Sequence, residues 1–106
     1  MTYEMALSAL GDPTRRQVFD RLRNAPASVT MLAAGLPISR PAVSQHLKIL
    51  KEADLVADEA IGARRVYRVN YDGLAGLRAW LDGFQDQRPD DYEAEIQRQI
   101  DERKNS

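Results

Sequence analysis

Residues 28–70 read SVTMLAAGLPISRPAVSQHLKILKEADLVADEAIGARRVYRVN, and the fold is decided inside this stretch. Ser39 can cap a helix that has Pro41 in its first turn and runs to about Ala53. Val43, Leu47 and Leu50 recur there at i, i+4, i+7, the spacing of a buried helical stripe. A short helix over about Val29 to Ala34 precedes it, with Leu32 pointing inward and Gly35-Leu36-Pro37 as the turn between. From Leu55 the pattern changes. Val56, Val66, Tyr67 and Val69 are strand-type residues, and Gly62 supplies a turn, so two extended stretches form a β-hairpin. Two short helices joined by a tight turn and followed by a hairpin make a winged helix-turn-helix.

Upstream, Thr2 to Leu10 places Met5, Ala6, Ala9 and Leu10 at helical spacing, and Gly11 ends that helix. Asp12-Pro13 then reads as the cap and first residue of a second helix, which runs to about Arg23 with Val18, Phe19 and Leu22 inward. Downstream, Asp72 is expected to cap a helix carrying Leu74, Leu77, Leu81 and Phe84 with Trp80 beside them, ending before Pro89. Asp90 to Ser106 spaces Tyr92, Ile96 and Ile100 at i, i+4, i+8 among many charges, which predicts a helix of marginal stability alone. The chain is thus mainly α with a β-hairpin wing. Residues 1–88 form the expected DNA-binding and dimerisation domain, and residues 89–106 an acidic helix or tail.

A chain of 106 residues accommodates one domain with a modest core, which a partner subunit would enlarge. No cysteine is present, which excludes disulfides, thiolate metal sites and thiol redox sensing. No apolar run reaches membrane-spanning length, and the opening MTYEMALSAL has Glu4 and no basic stretch of the kind that begins an export signal; the expected location is the cytoplasm. The net charge of −1 conceals a division: residues 1–70 hold ten Lys/Arg against seven Asp/Glu, and residues 71–106 five against nine. A phosphate backbone responds to the local patch rather than to the sum, so the first seventy residues are the candidate nucleic-acid face.

A helix turns about 100° per residue, so Pro41, Ser44, Gln45, Lys48 and Glu52 lie opposite the buried stripe. A glutamine there can pair with an adenine edge, a serine with base or phosphate, and Lys48 can neutralise a phosphate. Ser39 and Arg40 stand at the helix N-terminus, where backbone N–H groups also favour phosphate. Arg64 and Arg65 fall at the hairpin tip, where strand alternation turns them to different faces and brings at least one toward DNA backbone or minor groove. Arg15 and Arg16 are weaker candidates. His46, the single histidine, admits two readings at this point: a packing residue bonded to backbone, or a contact to phosphate or base. Catalysis is not expected. Ser44 and His46 diverge by about 200° on one helix, and there is no second histidine, metal cluster or glycine-rich phosphate loop.

The segments ALGDPTRRQVFDRL, SVTMLAAGLPISRPAVSQHLKILKEADLV and GARRVYRVN resemble the ArsR family of bacterial repressors over about Met5 to Phe84. The resemblance implies a DNA-binding homodimer built from the first and last core helices, which assigns Met5, Leu7, Leu10, Leu77, Trp80, Leu81 and Phe84 to the interface. It implies base recognition by the helix holding Ser44, Gln45 and His46, a backbone or minor-groove contact by the wing, and an inverted-repeat operator. Many members sense metals. The positions matching one Cys-x-Cys site are Ser28 and Thr30 here, and the last core helix offers Asp72, Asp82 and Asp86 without histidine, so no metal or other cofactor is expected. Tyr3, Trp80, Phe84 and Tyr92 could line a pocket for a small-molecule effector, although aromatic residues at helical spacing more often form core. The competing reading is a winged-helix protein-interaction module without DNA binding.

Overall fold

The computed structural model describes residues 3–86 and 92–105. The order is α1 (Tyr3–Leu10), α2 (Pro13–Asn24), β1 (Ala27–Ser28), α3 (Val29–Gly35), α4 (Arg40–Glu52), β2 (Val56–Ile61), β3 (Arg64–Val69), α5 (Ala75–Asp86) and α6 (Tyr92–Asn105). Three caps set the helix starts. Asp12 Oδ1 accepts from the N–H of Arg15 at 3.0 Å, Ser28 Oγ from Met31 at 3.3 Å and Ser39 Oγ from Ala42 at 3.3 Å. Each satisfies one of the N–H groups that a first helical turn leaves without a partner.

The centre of the core is built from α1, α2, α3 and α4 and from the segment that leads into β2. Ala6, Val18, Leu32, Val43, Leu47, Leu50 and Leu55 are sealed from solvent. Burying each of the larger aliphatic side chains is worth about 1.5–3 kcal/mol, so the stripe on α4 alone anchors that helix in one rotational setting. The sheet has three antiparallel strands in the order β1-β3-β2. Strand β1 is an addition to the hairpin expected from sequence: Ala27 pairs with Tyr67 and Ser28 with Val66. In the hairpin, Val56 pairs with Val69 and Ile61 with Arg64, which leaves Gly62-Ala63 as a two-residue loop. Gly62 takes φ +62 at the first loop position, the demand that a type II′ turn places on glycine.

The helix start expected at Asp72 is displaced. Successive N–H groups of Gly73, Leu74 and Ala75 donate to the carbonyls of Asn70, Tyr71 and Asp72, making a tight turn before α5 begins at Ala75. The reason lies at Gly73, where a Cβ would sit 1.6 Å from the carbonyl oxygen of Asp54. The chain must pass the end of α4 at van der Waals range before it can turn into a helix.

Helix α6 forms across most of the charged C-terminal segment, with no buried residue and with its own side-chain pairs: Arg98 with Glu95, Gln99 with Glu95 and Gln97 with Asp101. Residues 89–91 of that segment lie outside the described residues. Among the described residues no helix is long and apolar enough to cross a membrane.

Candidate nucleic-acid interface

Helix α4 presents two opposite faces. Val43, Leu47 and Leu50 are fully buried, whereas Ser39, Arg40, Pro41, Ser44, Gln45 and Lys48 are exposed. The polar side chains expected to meet a groove are therefore free to do so, and the buried stripe fixes the direction in which they point. The start of the helix is braced against α3: Arg40 Nη2 donates to Thr30 Oγ1 at 3.1 Å. That bond links the first turns of the two helices of the motif, across the turn at residues 36–39.

His46 stands at the flank of this face and is half-buried. Its Nδ1 is sealed from solvent without a hydrogen-bond partner among the described residues, so the backbone bond expected of a packing histidine is not made at that atom. Asp12 is held below the usual carboxylate range chiefly by the Arg15 N–H, which outweighs the raising effect of burial, with lesser help from the Thr14 N–H, the Arg15 guanidinium and His46. Arg15, a weaker DNA candidate in the sequence, turns inward here: Nη1 donates to the Ala9 carbonyl at 3.0 Å and Nη2 lies 4.0 Å from Asp12. Arg16 likewise donates to the carbonyl of Leu10. Both arginines tie the end of α1 to the start of α2.

The wing tip separates Arg64 from Arg65 as strand alternation requires. Arg64 pairs across the hairpin with Ile61 at the tip, and Arg65 with Ala60. Among the described residues Arg64 and Lys48 form no ion pair, whereas Arg65 Nη1 lies 2.9 Å from Asp58 Oδ2. Lys51 in the last turn of α4 reaches the other oxygen of the same carboxylate, Nζ to Oδ1 at 2.9 Å. Asp58 was not singled out in the sequence. Its contacts span seven residues in each direction and depend on the hairpin register, which no local pattern displays.

A helix-turn-helix domain model matches residues 10–59. The chain is 54% identical over 81 residues to the HTH-type transcriptional regulator Rv2034 of Mycobacterium tuberculosis, a match covering 76% of each chain. It is 34% identical over 76 residues to the transcriptional repressor SdpR of Bacillus subtilis, covering 72% of this chain and 84% of that one. Among solved structures, an ArsR-like transcriptional regulator from Rhodococcus superposes with a TM-score of 0.71 at 28% identity, covering 96% of this chain and 89% of the other. The chain belongs to the ArsR family of winged helix-turn-helix transcriptional regulators. A further family structure, the homodimeric winged helix-turn-helix DNA-binding domain from Mycobacterium bovis, described as a possible ArsR-family regulator, gives a TM-score of 0.64 at 26% identity and covers 79% of this chain and 78% of that one.

Ser28 and Thr30, the positions that the sequence resemblance aligned with a Cys-x-Cys pair, are both engaged in this ArsR-family chain. Ser28 is occupied as the α3 cap, and the Thr30 hydroxyl accepts from Arg40. Both hydroxyls thus serve the geometry of the motif. Among the described residues no three His, Asp or Glu side chains are grouped as a metal would need.

Helices α1 and α5 pack together and leave apolar groups exposed. Met5 is 47% exposed, Leu81 54% and Phe84 66%, with Leu7 also exposed. Leu10 and Trp80 are half-buried. Leu77 is buried within the protomer, so it attaches α5 to the body. Tyr3 stacks on Trp80 and Phe84 meets Trp80 edge-on, which engages three of the four aromatic residues considered as an effector pocket; Tyr92 opens α6.

Proposed function

We propose that this chain represses transcription as a homodimer on an inverted-repeat operator, with α4 of each subunit in a major groove. The observation that carries the reading is the division of α4: a fully buried apolar stripe on one side, and Ser44, Gln45 and Lys48 free on the other. Gln45 is assigned to base-edge recognition and Ser44 to base or phosphate. Lys48, Arg40 and the Ser39 end of the helix are assigned to phosphate, with Pro41 against the backbone and His46 at the flank. Arg64 at the wing tip is assigned to backbone or minor groove.

The exposed apolar face of α1 and α5 is the natural dimer surface, because a monomer that left Phe84, Leu81, Met5 and Leu7 in water would forgo their burial. The homodimeric Mycobacterium bovis relative supports the same assembly, and the repressor from Bacillus subtilis supports repression as the outcome. The two recognition helices then meet half-sites about one helical turn, 34–36 Å, apart. Residues 1–88 are the DNA-binding and dimerising body in this reading, and 89–106 an appended helix. The site of action is the cytoplasm, where the DNA lies.

Fluorescence anisotropy against DNA from upstream of the protein's own gene, with a scrambled duplex of equal length as control, tests the proposal at near-physiological salt. A preference of about a thousand-fold or more for the upstream duplex, with two subunits bound per site, is the expected result. Absence of binding to either duplex at low salt would refute it and favour a protein-interaction module.

A further inference from the structure

The Lys51–Asp58–Arg65 cluster joins the two elements that the proposed function places on DNA. Lys51 is in α4, Asp58 in β2 and Arg65 in β3. Each carboxylate oxygen has its own cation at 2.9 Å. The Asp58 side chain is only 7% exposed, whereas both cations are more than half exposed. The anion is thus nearly sealed between two charges that face water. Pulling either cation away would leave one carboxylate oxygen without its hydrogen-bond donor where water barely reaches, which costs more than parting an open surface pair.

Two further cations, Lys48 one turn before Lys51 and Arg64 one residue before Arg65, form no ion pair among the described residues. The second half of α4 and the wing tip therefore each set a free cation, Lys48 or Arg64, beside a restrained one, Lys51 or Arg65. Non-specific attraction to DNA grows with the number of cations that can settle on phosphates. We propose that Asp58 is a specificity-determining residue, holding Lys51 and Arg65 off the phosphate backbone so that binding depends on the contacts of α4 and the free wing tip. The same carboxylate fixes the wing to the end of α4, so it also sets where Arg64 stands relative to Gln45. The inference rests on the reading that α4 and the wing meet DNA.

The test measures affinity of the full chain for a scrambled duplex as a function of salt, for the wild type, D58N, R65Q and the double variant. Each cation freed for phosphate steepens log K against log salt by about 0.9, with every slope change counted per subunit of the dimer. D58N is expected to steepen it by about 0.9–1.8 per subunit, so that between 50 and 200 mM salt the affinity of the dimer falls about 12–150-fold more than that of the wild type. Its preference for the upstream duplex over the scrambled one should fall with it. R65Q should remove about 0.9 from the slope in the D58N background and less than half of that in the wild-type background. A merely structural role for Asp58 would not produce this coupling.

A folded D58N with the wild-type slope, or an R65Q effect equal in both backgrounds, overturns the inference while leaving the DNA reading intact. Should D58N fail to fold by circular dichroism, R65Q in the wild-type background decides alone: a loss of about 0.9 overturns the inference, and a loss under half of that supports it. A wild type that binds neither duplex at low salt overturns the DNA reading and this inference together.

Discussion

Tyr3 and Trp80 stack with ring centroids 5.1 Å apart and planes 11° from parallel, which joins the first turn of α1 to the middle of α5. Phe84 extends the row, meeting Trp80 edge-on at 5.1 Å and 89°. Offset stacked and edge-to-face pairs of this kind add to the area they bury. The row begins half-buried inside the protomer and ends at a ring largely in solvent. It has both a folding role and an assembly role, and substitution can separate them. Trp80→Ala should cost the protomer about 2–3 kcal/mol, less than a fully buried tryptophan would, because the ring is only half-buried. Phe84→Asp should leave the far-ultraviolet circular dichroism and the protomer fold intact but drive the dimer to monomer in sedimentation velocity. A monomeric wild type would refute the dimer, and an F84D variant that stays dimeric would place the interface elsewhere.

Asp54 occupies the left-handed region at φ +65, immediately after α4. The N–H of Leu55 donates to the Leu50 carbonyl and that of Asp54 to Lys51, the paired bonds of a Schellman ending with an aspartate where glycine is usual. Leu50 and Leu55, the apolar pair that closes such an ending, are both fully buried. The aspartate pays a steric penalty that glycine does not, so Asp54→Gly should raise thermal stability by about 0.5–1 kcal/mol. Gly73 behaves oppositely. An added methyl would collide with the Asp54 carbonyl, which also accepts from Asn70 Nδ2 at 3.1 Å and cannot withdraw without losing that bond. Gly73→Ala should destabilise by about 2–3 kcal/mol or more. Denaturant melts of the two variants check both signs.

The contrast between these positions explains what the sequence disclosed. The caps at Asp12 and Ser39, the buried stripe of Val43, Leu47 and Leu50, and the hairpin around Gly62 are local: each depends on residues a few positions apart, so spacing alone reveals them. Strand β1 has two residues and exists only because Tyr67 and Val66, some forty positions away, accept it as a neighbour. The displaced start of α5 depends on a carbonyl nineteen residues upstream of Gly73. The outward face of α4 was legible because a helix with one committed apolar stripe has its opposite face determined. The restraint on Arg65 was not, because it follows from which side of a strand Asp58 occupies and how near α4 ends.

Gln45 is exposed on α4 between Ser44 and His46, and the bases it reads can be found by substitution. Gln45→Ala should relax discrimination at one base pair per half-site by about 1–3 kcal/mol while leaving other positions alone. Arg64→Ala should instead weaken every sequence alike and flatten the salt slope by about 0.9 per subunit, since a phosphate contact carries no sequence information. Competition binding against a panel of singly altered operators separates the two. Uniform weakening by Gln45→Ala would move it from base recognition to phosphate.

Asp58 also makes the stability of the domain depend on acidity. Its carboxyl is held below the usual range of about 3.8, first by the hydrogen bond from Lys51 and then by Arg65, against the raising effect of burial. A carboxylate whose folded-state pKa is depressed stabilises the fold above its unfolded pKa, and that contribution disappears as pH falls through the folded value. Between pH 7 and 5 the contribution is therefore constant, and below about pH 4 it is lost. The wild-type melting temperature should fall more steeply than that of Asp58→Asn as the pH drops from about 4.5 to 3. Asp12 is depressed in the same sense, so the variant should retain part of the decline. High salt should shrink the difference only modestly, because Asp58 is nearly sealed from solvent. Parallel acid-limb melting curves for the two proteins would mean that Lys51 and Arg65 contribute nothing to the fold through this carboxylate.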